Sequence, residues 1–274
     1  MKIAAISDIH GNLAALQAVL EDIGRERVDR VVNLGDLLSG PLQPAQTADR
    51  LIATNFITIA GNHERPLLAA WDGPRERIDA LSSDGYSATE VIASHALWIR
   101  AMAPFHWLAA DVLLVHGTPG SDSDYWLETV TPDFGLHGSR GLRAATPGET
   151  LQRLESREGA ARASLVLCGH THVPRTVRCG GTLVVNPGSV GLQAYEDNDP
   201  CHHQAENGSP HARYAVLEQH PAGWSVQHRQ VPYDWAAQAR LATERGRPDW
   251  AFALETGRMP PPTPRRSTPP TMRA

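Results

Sequence analysis

The sequence predicts an α/β fold in which helices cover a β-sheet. Two observations carry this reading. The first two thirds of the chain alternate short apolar runs with helical patterns. Five of those runs also pass straight into a potential metal ligand, usually beside glycine, which is where open α/β sheets place their ligands. With 274 residues, of which 41% are hydrophobic and 20% charged, the chain can bury a sizeable core, and one large domain is the simplest division.

"KIAAIS" (2–7) reads as a strand. "LAALQAVLEDIG" (13–24) reads as a helix, because Leu13, Leu16, Leu20 and Ile23 fall on one face and Gly24 supplies a stop. "RVVNL" (30–34), "FITIA" (56–60), "DVLLV" (111–115) and "SLVLC" (164–168) are further strands, and a helix "PAQTADRLIATN" lies between the first two of these. "TVRC" and "TLVV" form a hairpin on Gly180-Gly181, and "RYAVLE" with "WSVQHRQV" forms a second antiparallel pair.

Two insertions interrupt this rhythm, and both are expected to carry substrate contacts. Residues 66–105 are largely helical, with Ser87 and Glu90 in capping-box spacing ahead of Val91, Ile92, His95, Trp98, Ile99 and Met102. His95 on that face reads as a satisfied core histidine. Residues 118–163 are rich in Gly, Ser and Asp before a short helix from Thr146, with Glu149 in the same spacing. Residues 233–257 read as two short helices broken at Gly246 and Pro248. The domain is expected to span 1–257, followed by a proline-rich, disordered tail over 258–274.

Composition narrows the function. A net charge of −5 without a basic stripe makes nucleic acid an improbable partner. No run approaches the ~18 apolar residues of a membrane span, and "MKIAAISDIHGN" turns polar too early for a secretory signal, so a cytoplasmic protein is expected. Three cysteines without a CxxC spacing suggest neither a disulfide framework nor a thiolate zinc site, and Cys168 reads as a small buried hydrophobe.

The chemistry collects at the ends of the five runs: Asp8 and His10, then Asp36, then Asn62 and His63, then His116, then His170 and His172. Residues two apart in extended chain point the same way, so Asp8 with His10, and His170 with His172, are expected to act as pincers. Seven side chains, Asp8, His10, Asp36, Asn62, His116, His170 and His172, exceed one tetrahedral ion and suit two divalent ions sharing a carboxylate. Imidazole, carboxylate and amide without thiolate suit Mn²⁺, Fe or Zn²⁺, with manganese heading the expectation. Glycines 35, 61 and 169 would let backbone pass close to the crowded cluster. Two such ions leave a cationic pit that fits a phosphate oxyanion and can hold a hydroxide for in-line displacement.

The ordered set "DIHGN", "GDLLSGP", "GNHE", "HGTPG", "GHTH" and "NPGSVG" resembles the calcineurin-like metallophosphoesterase superfamily over residues 3–217, in its bacterial phosphodiesterase-like and phosphatase-like branch. The resemblance implies a four-layer α/β/β/α sandwich of two mixed sheets. It also implies that Asp8, His10, Asp36 and His172 hold one metal, that Asp36, Asn62, His116 and His170 hold the other, and that His63 assists the leaving oxygen. The protein phosphatases and dinucleoside tetraphosphate hydrolases that share these motifs follow Gly-Asp with a segment ending in Arg-Gly. Here Leu37-Leu38-Ser39-Gly40 stands instead, without the arginine.

The expected function is hydrolysis of a small-molecule phosphomonoester or phosphodiester by direct attack of a metal-bound hydroxide. The alternatives are a metal-containing scaffold that binds a protein partner, or an enzyme of the protein-phosphatase or dinucleoside-polyphosphate-hydrolase type. Trp126 and His137 are candidate pocket residues, and Asn12, Asn186 and Ser189 candidate turn or supporting residues. Cys201, His202, His203 and His211 lie in a stretch (193–211) read as a mobile loop that could hold a third metal.

Overall fold

The computed structural model describes residues 1–260. The expectation of a disordered tail therefore concerns, for residues 261–274, positions outside the described part. The strands, in chain order, are β1 (Lys2–Ile6), β2 (Arg30–Asn33), β3 (Ile57–Thr58), β4 (Phe105–Ala109), β5 (Val112–Val115), β6 (Glu128–Val130) and β7 (Leu142–Ala144). They continue with β8 (Leu165–Leu167), β9 (Arg175–Cys179), β10 (Thr182–Asn186), β11 (Ala194–Asp197), β12 (His203–Glu206), β13 (Ala212–His220) and β14 (Gly223–Val231). The helices are α1 (Leu13–Ile23), α2 (Pro44–Thr54), α3 (Glu64–Asp72), α4 (Ser83–Glu90), α5 (Ala93–Arg100), α6 (Pro147–Leu154), α7 (Trp235–Glu244) and α8 (Pro248–Thr256).

Two mixed five-stranded sheets run in the orders β14-β13-β1-β2-β3 and β4-β5-β8-β10-β9. In the first, β1, β2 and β3 are mutually parallel, and in the second β5, β8 and β10 are. The two-residue period of a strand sorts the side chains into layers. Ile3 and Ala5 join Leu114, Leu165, Leu167 and Val185 in the apolar core between the sheets. Ala4 and Ile6 point the other way, onto Leu16 and Val19 of α1 and Leu51 of α2. Leu113, Val166 and Val184 face Leu154 of α6 on the opposite outer side. The result is the four-layer α/β/β/α sandwich that the resemblance implied.

Asn12 starts α1 by accepting from the Ala15 N–H at 3.1 Å, and its amide ties that corner to Gly191 O at 2.9 Å. Thr146 and Glu149 form the expected capping box on α6. Ser87 does not cap a helix. It lies inside α4, fully buried, where its hydroxyl donates to Leu38 O at 2.8 Å and accepts from Gly40 N at 3.1 Å. Ser82 is the cap instead, and the helical run breaks at Val91 and Ile92 before α5. A tertiary partner for the hydroxyl outcompetes the local cap. His95 is 2% exposed and paired with Asp49 at 2.8 Å, as a core histidine should be.

Strand β4 escaped the sequence reading because a bulge between Trp107 and Ala109 shifts its register. Phe105 and Trp107 pack on one face, while Leu108 and Ala109 both pack on the other. The stretch read as a mobile loop is instead the β11–β12 hairpin. Met259, placed in the tail by its proline-rich company, is 5% exposed and packs with Trp250 and Leu254. Among the described residues no helix is long and apolar enough to cross a membrane.

Candidate metal centre

The parallel strands of both sheets end on the same side of the molecule, and the chemistry follows them: Asp8 after β1, Asp36 after β2, Asn62 after β3, His116 after β5, and His170 after β8. Asp8, His10 and His172 form one group with ligand atoms within 4.8 Å of one another, and Asp36, His116 and His170 form a second. Asp36 faces both, with its Oδ2 3.1 Å from His116 Nε2 and 3.9 Å from His10 Nε2. Asn62 Oδ1 lies 3.0 Å from His116 Nε2. All seven predicted ligands converge, and the His63 ring stands 5.5 Å from that of His10.

The pincers do not arise from extended backbone. Asp8, His10, Asp36, His170 and His172 all have φ between 52° and 69°, the left-handed region. They are five of the eight non-glycine residues with positive φ among those described. Each such residue costs of order 1–3 kcal/mol. The chain accepts that cost where these five side chains converge on the two ligand groups. Backbone bonds hold these turns, among them Ile9 N–H to Asp36 O at 2.8 Å and Gly169 N–H to His116 O at 2.7 Å. Glycine keeps the loop crossings open: a Cβ on Gly61 would sit 2.6 Å from Asp36 N and run into its carboxylate, and one on Gly169 would run into the Ser7 side chain.

Hydrogen bonding fixes the histidine tautomers. Nδ1 of His10 lies 2.7 Å from Ser39 O, and Nδ1 of His172 lies 2.7 Å from Leu192 O. A carbonyl cannot donate, so both protons are on Nδ1 and both Nε2 atoms present lone pairs. Those two Nε2 atoms are 3.0 Å apart, and Asp8 Oδ1 lies 3.6 Å from that of His172. Burial pushes His10 down to about 4 and His172 well below its ordinary range, so neither takes up a second proton near neutrality. Burial, with the charge of Asp36, pushes Asp8 up to about 7. Acceptors pointed at acceptors in a buried site fit a cation between them, and this nitrogen and oxygen set fits a divalent one.

The second group is balanced differently. His116 Nδ1 donates to Leu34 O at 2.7 Å, which aims Nε2 at Asp36 and Asn62. His170 Nε2 donates to Ser123 O at 2.9 Å, which leaves its Nδ1 with the lone pair. Burial opposes charge on both central residues, but each outweighs it for the other. Asp36 is held well below the usual carboxylate range, and His116 is held up to about 9. A proton on His116 is thus this group's own answer to the carboxylate, and a divalent ion would replace it.

A family model for the calcineurin-like phosphoesterase superfamily domain matches residues 1–206. The chain belongs to that superfamily. A crystal structure of a metallophosphoesterase from Sphaerobacter thermophilus is 25% identical, with a TM-score of 0.70, covering 94% of this chain and 100% of that one. A hypothetical protein from Pyrococcus horikoshii OT3 shares the fold at 17% identity and a TM-score of 0.70, covering 94% and 99%. An uncharacterised protein of Methanocaldococcus jannaschii is 23% identical over 259 residues, 90% of this chain and 94% of the relative. Members of this family depend on divalent metals, and the two ligand groups stand where such ions would be held.

Within this phosphoesterase fold, several contributors were not singled out in the sequence. Glu64, 2% exposed, accepts from the Gly61, Asp36 and Leu37 N–H groups at 2.6, 3.0 and 2.9 Å, and so clasps two ligand loops together. Its only signal was the last letter of "GNHE". Asp84 accepts from His63 Nδ1 at 2.9 Å, with Ser39 Oγ 3.2 Å from the same nitrogen. Burial opposes charge on His63, but Asp36 and Asp84 outweigh it and hold the ring up to about 10. Asn186 and Ser189, which the sequence did offer as turn or supporting residues, brace the ligand loops through Gly169 O and Asp8 O respectively, both at 2.7 Å.

The ligands open into a cleft of about 310 Å³ whose wall includes Ser83, Tyr125, Tyr195, Arg247 and Trp250. Trp126 is not in it: the ring is 1% exposed in the core, donating to Thr150 O at 3.1 Å. Its neighbour Tyr125 lines the cleft instead. His137 sits exposed in a turn. Cys201, His202, His203 and His211 belong to neither ligand group, and His203 is buried against the Tyr125 hydroxyl at 2.8 Å. Much of the wall comes from β11 and α8, which the sequence reading gave no part in substrate choice.

Proposed function

We propose that this protein is a two-metal phosphodiesterase acting on a small molecule. The observation that carries the reading is a pair of nitrogen and oxygen ligand groups, joined at Asp36, that open with His63 into one cleft. Two bound ions would supply Lewis-acid charge for the phosphoryl oxygens and lower the pKa of water. Asp8, His10, Asp36 and His172 would hold one, and Asp36, Asn62, His116 and His170 the other.

His63 carries the remaining step. Asp84 and Ser39 keep Nδ1 engaged, so the protonated ring offers its Nε2 proton to the leaving oxygen. Charge favours a diester over a monoester. Beyond the ligand groups the cleft is lined by Glu196, Asp197 and Asp249, and its one arginine, Arg247, is committed to Asp249 at 2.7 Å and to Ser83 Oγ at 3.1 Å. A diester brings one negative charge into that setting, and a monoester up to two.

The test is to strip the protein, refill it with Mn²⁺, Zn²⁺ or Fe²⁺, and supply bis(p-nitrophenyl) phosphate or p-nitrophenyl phosphate. Diester turnover exceeding monoester turnover is expected. Uptake of two ions with no hydrolysis of either ester would make the protein a metal-bearing scaffold instead.

A further inference from the structure

We infer that α8, Met259 and β11 build a subsite for the organic group of the diester: an apolar group the size of one aromatic ring, carrying a hydrogen-bond donor. This rests on the phosphodiesterase reading and adds the substrate class to it. The cleft has two chemically different ends. One is the ligand groups with His63. The other is Leu192, Ala194, Trp250, Ala253 and Met259, which are also members of a single packed apolar cluster. The two ends are contiguous, because the Trp250 ring meets the His10 ring edge to face at 6.1 Å.

The apolar wall is held in place from several sides. Arg247 donates to Leu81 O at 3.2 Å and to Ser83 Oγ, Arg245 donates to Pro41 O at 2.9 Å, and Met259 N–H donates to Glu206 at 2.8 Å. A wall so tied is ready for a ligand without rearrangement. Trp250, Ala253 and Met259 also lie beyond the segment that the family model matches, which ends at residue 206. At about 310 Å³ the cleft is at the small end of the ~300–1,000 Å³ typical of ligand sites, which limits the organic group to about one ring. The commitment of Arg247 removes the cation that a second phosphate would need.

The polar group between the two ends is the Tyr195 hydroxyl, whose ring packs on His172 at 4.7 Å and whose oxygen lies 3.5 Å from His170 O. His203 Nδ1 lies 2.8 Å from Cys201 O, so in the neutral ring Nε2 is an acceptor. Tyr125 therefore donates to His203 at 2.8 Å, and Tyr195 donates to Tyr125 at 2.7 Å. With its proton committed, Tyr195 Oη can only accept from a ligand, which calls for a donor on the organic group.

The experiment uses the Mn²⁺-loaded protein and three monoanionic inhibitors of bis(p-nitrophenyl) phosphate hydrolysis: dimethyl, methyl phenyl and methyl 3-aminophenyl phosphate. Methyl phenyl phosphate should inhibit about tenfold more tightly than dimethyl phosphate, as expected for burying one ring. The ratio should collapse in Trp250→Ala and in Ala253→Leu, which fills the subsite, with metal content measured in each variant. Tyr195→Phe should cost the aminophenyl ester about fivefold, as for one neutral hydrogen bond, and spare the phenyl ester. Equal inhibition by all three esters in a protein that still hydrolyses the chromogenic diester would overturn the subsite alone. Failure to hydrolyse it with two ions bound would overturn the phosphodiesterase reading and the subsite with it.

Discussion

The floor of the cleft and its wall are built in opposite ways. The floor consists of residues one to five positions past a strand, five of them in left-handed backbone and those five braced by backbone bonds or carbonyl-fixed tautomers. The wall consists of side chains from α4, β11, α8 and their flanks, with Tyr125, none with a positive φ, placed by packing and by long-range bonds such as Arg247 to Leu81 O. The floor stores strain and fixes charge, while the wall stores none and fixes shape. Chemistry should therefore fail abruptly when the floor is altered, and selectivity should shift gradually when the wall is.

The sharpest break should come from Asp36→Ala, because one carboxylate faces both ligand groups. Metal analysis should find at most one ion per chain, and losing several kcal/mol of charge stabilisation should lower turnover by ~10⁴-fold or more. Two retained ions would end the bridging role. His63→Ala should keep both ions while turnover falls ~10²–10⁴-fold; unchanged turnover would reduce His63 to packing. Glu64→Gln leaves one oxygen to accept from three N–H groups, so metal affinity measured by calorimetry should weaken ~10–100-fold while the protein stays folded. The smallest effect belongs to a site outside floor and wall. Thr146→Ala removes the α6 cap and should cost about 1 kcal/mol in urea unfolding with kcat/KM unchanged. A change in kcat/KM would show that this insertion reaches the chemistry.

The floor was legible because its information is local. "DIHGN", "GNHE" and "GHTH" each follow an apolar run, so strand end and ligand can be read from a few adjacent letters. The geometry assumed for them was nevertheless wrong: Asp8 with His10 and His170 with His172 are aimed by left-handed turns, which spacing alone does not reveal. Trp126 and Tyr125 show the limit in the wall. The two are adjacent and both aromatic, yet one is core and the other lines the cleft, and only their packing against α6 and His203 tells them apart. Ser87 shows the limit for local rules, since a good capping spacing lost to a partner 47 residues away.

By itself the sequence determined the alternating α/β order, the seven candidate ligands and the neighbouring histidine, because strand length, side-chain period and donor chemistry are properties of short segments. Only the tertiary structure decided which histidine tautomer faces the centre, how Glu64 clasps two loops, and which elements close the cleft. Those depend on contacts between segments far apart in the chain, and the physical reason they are invisible in sequence is that each partner is chemically ordinary until the other is placed beside it.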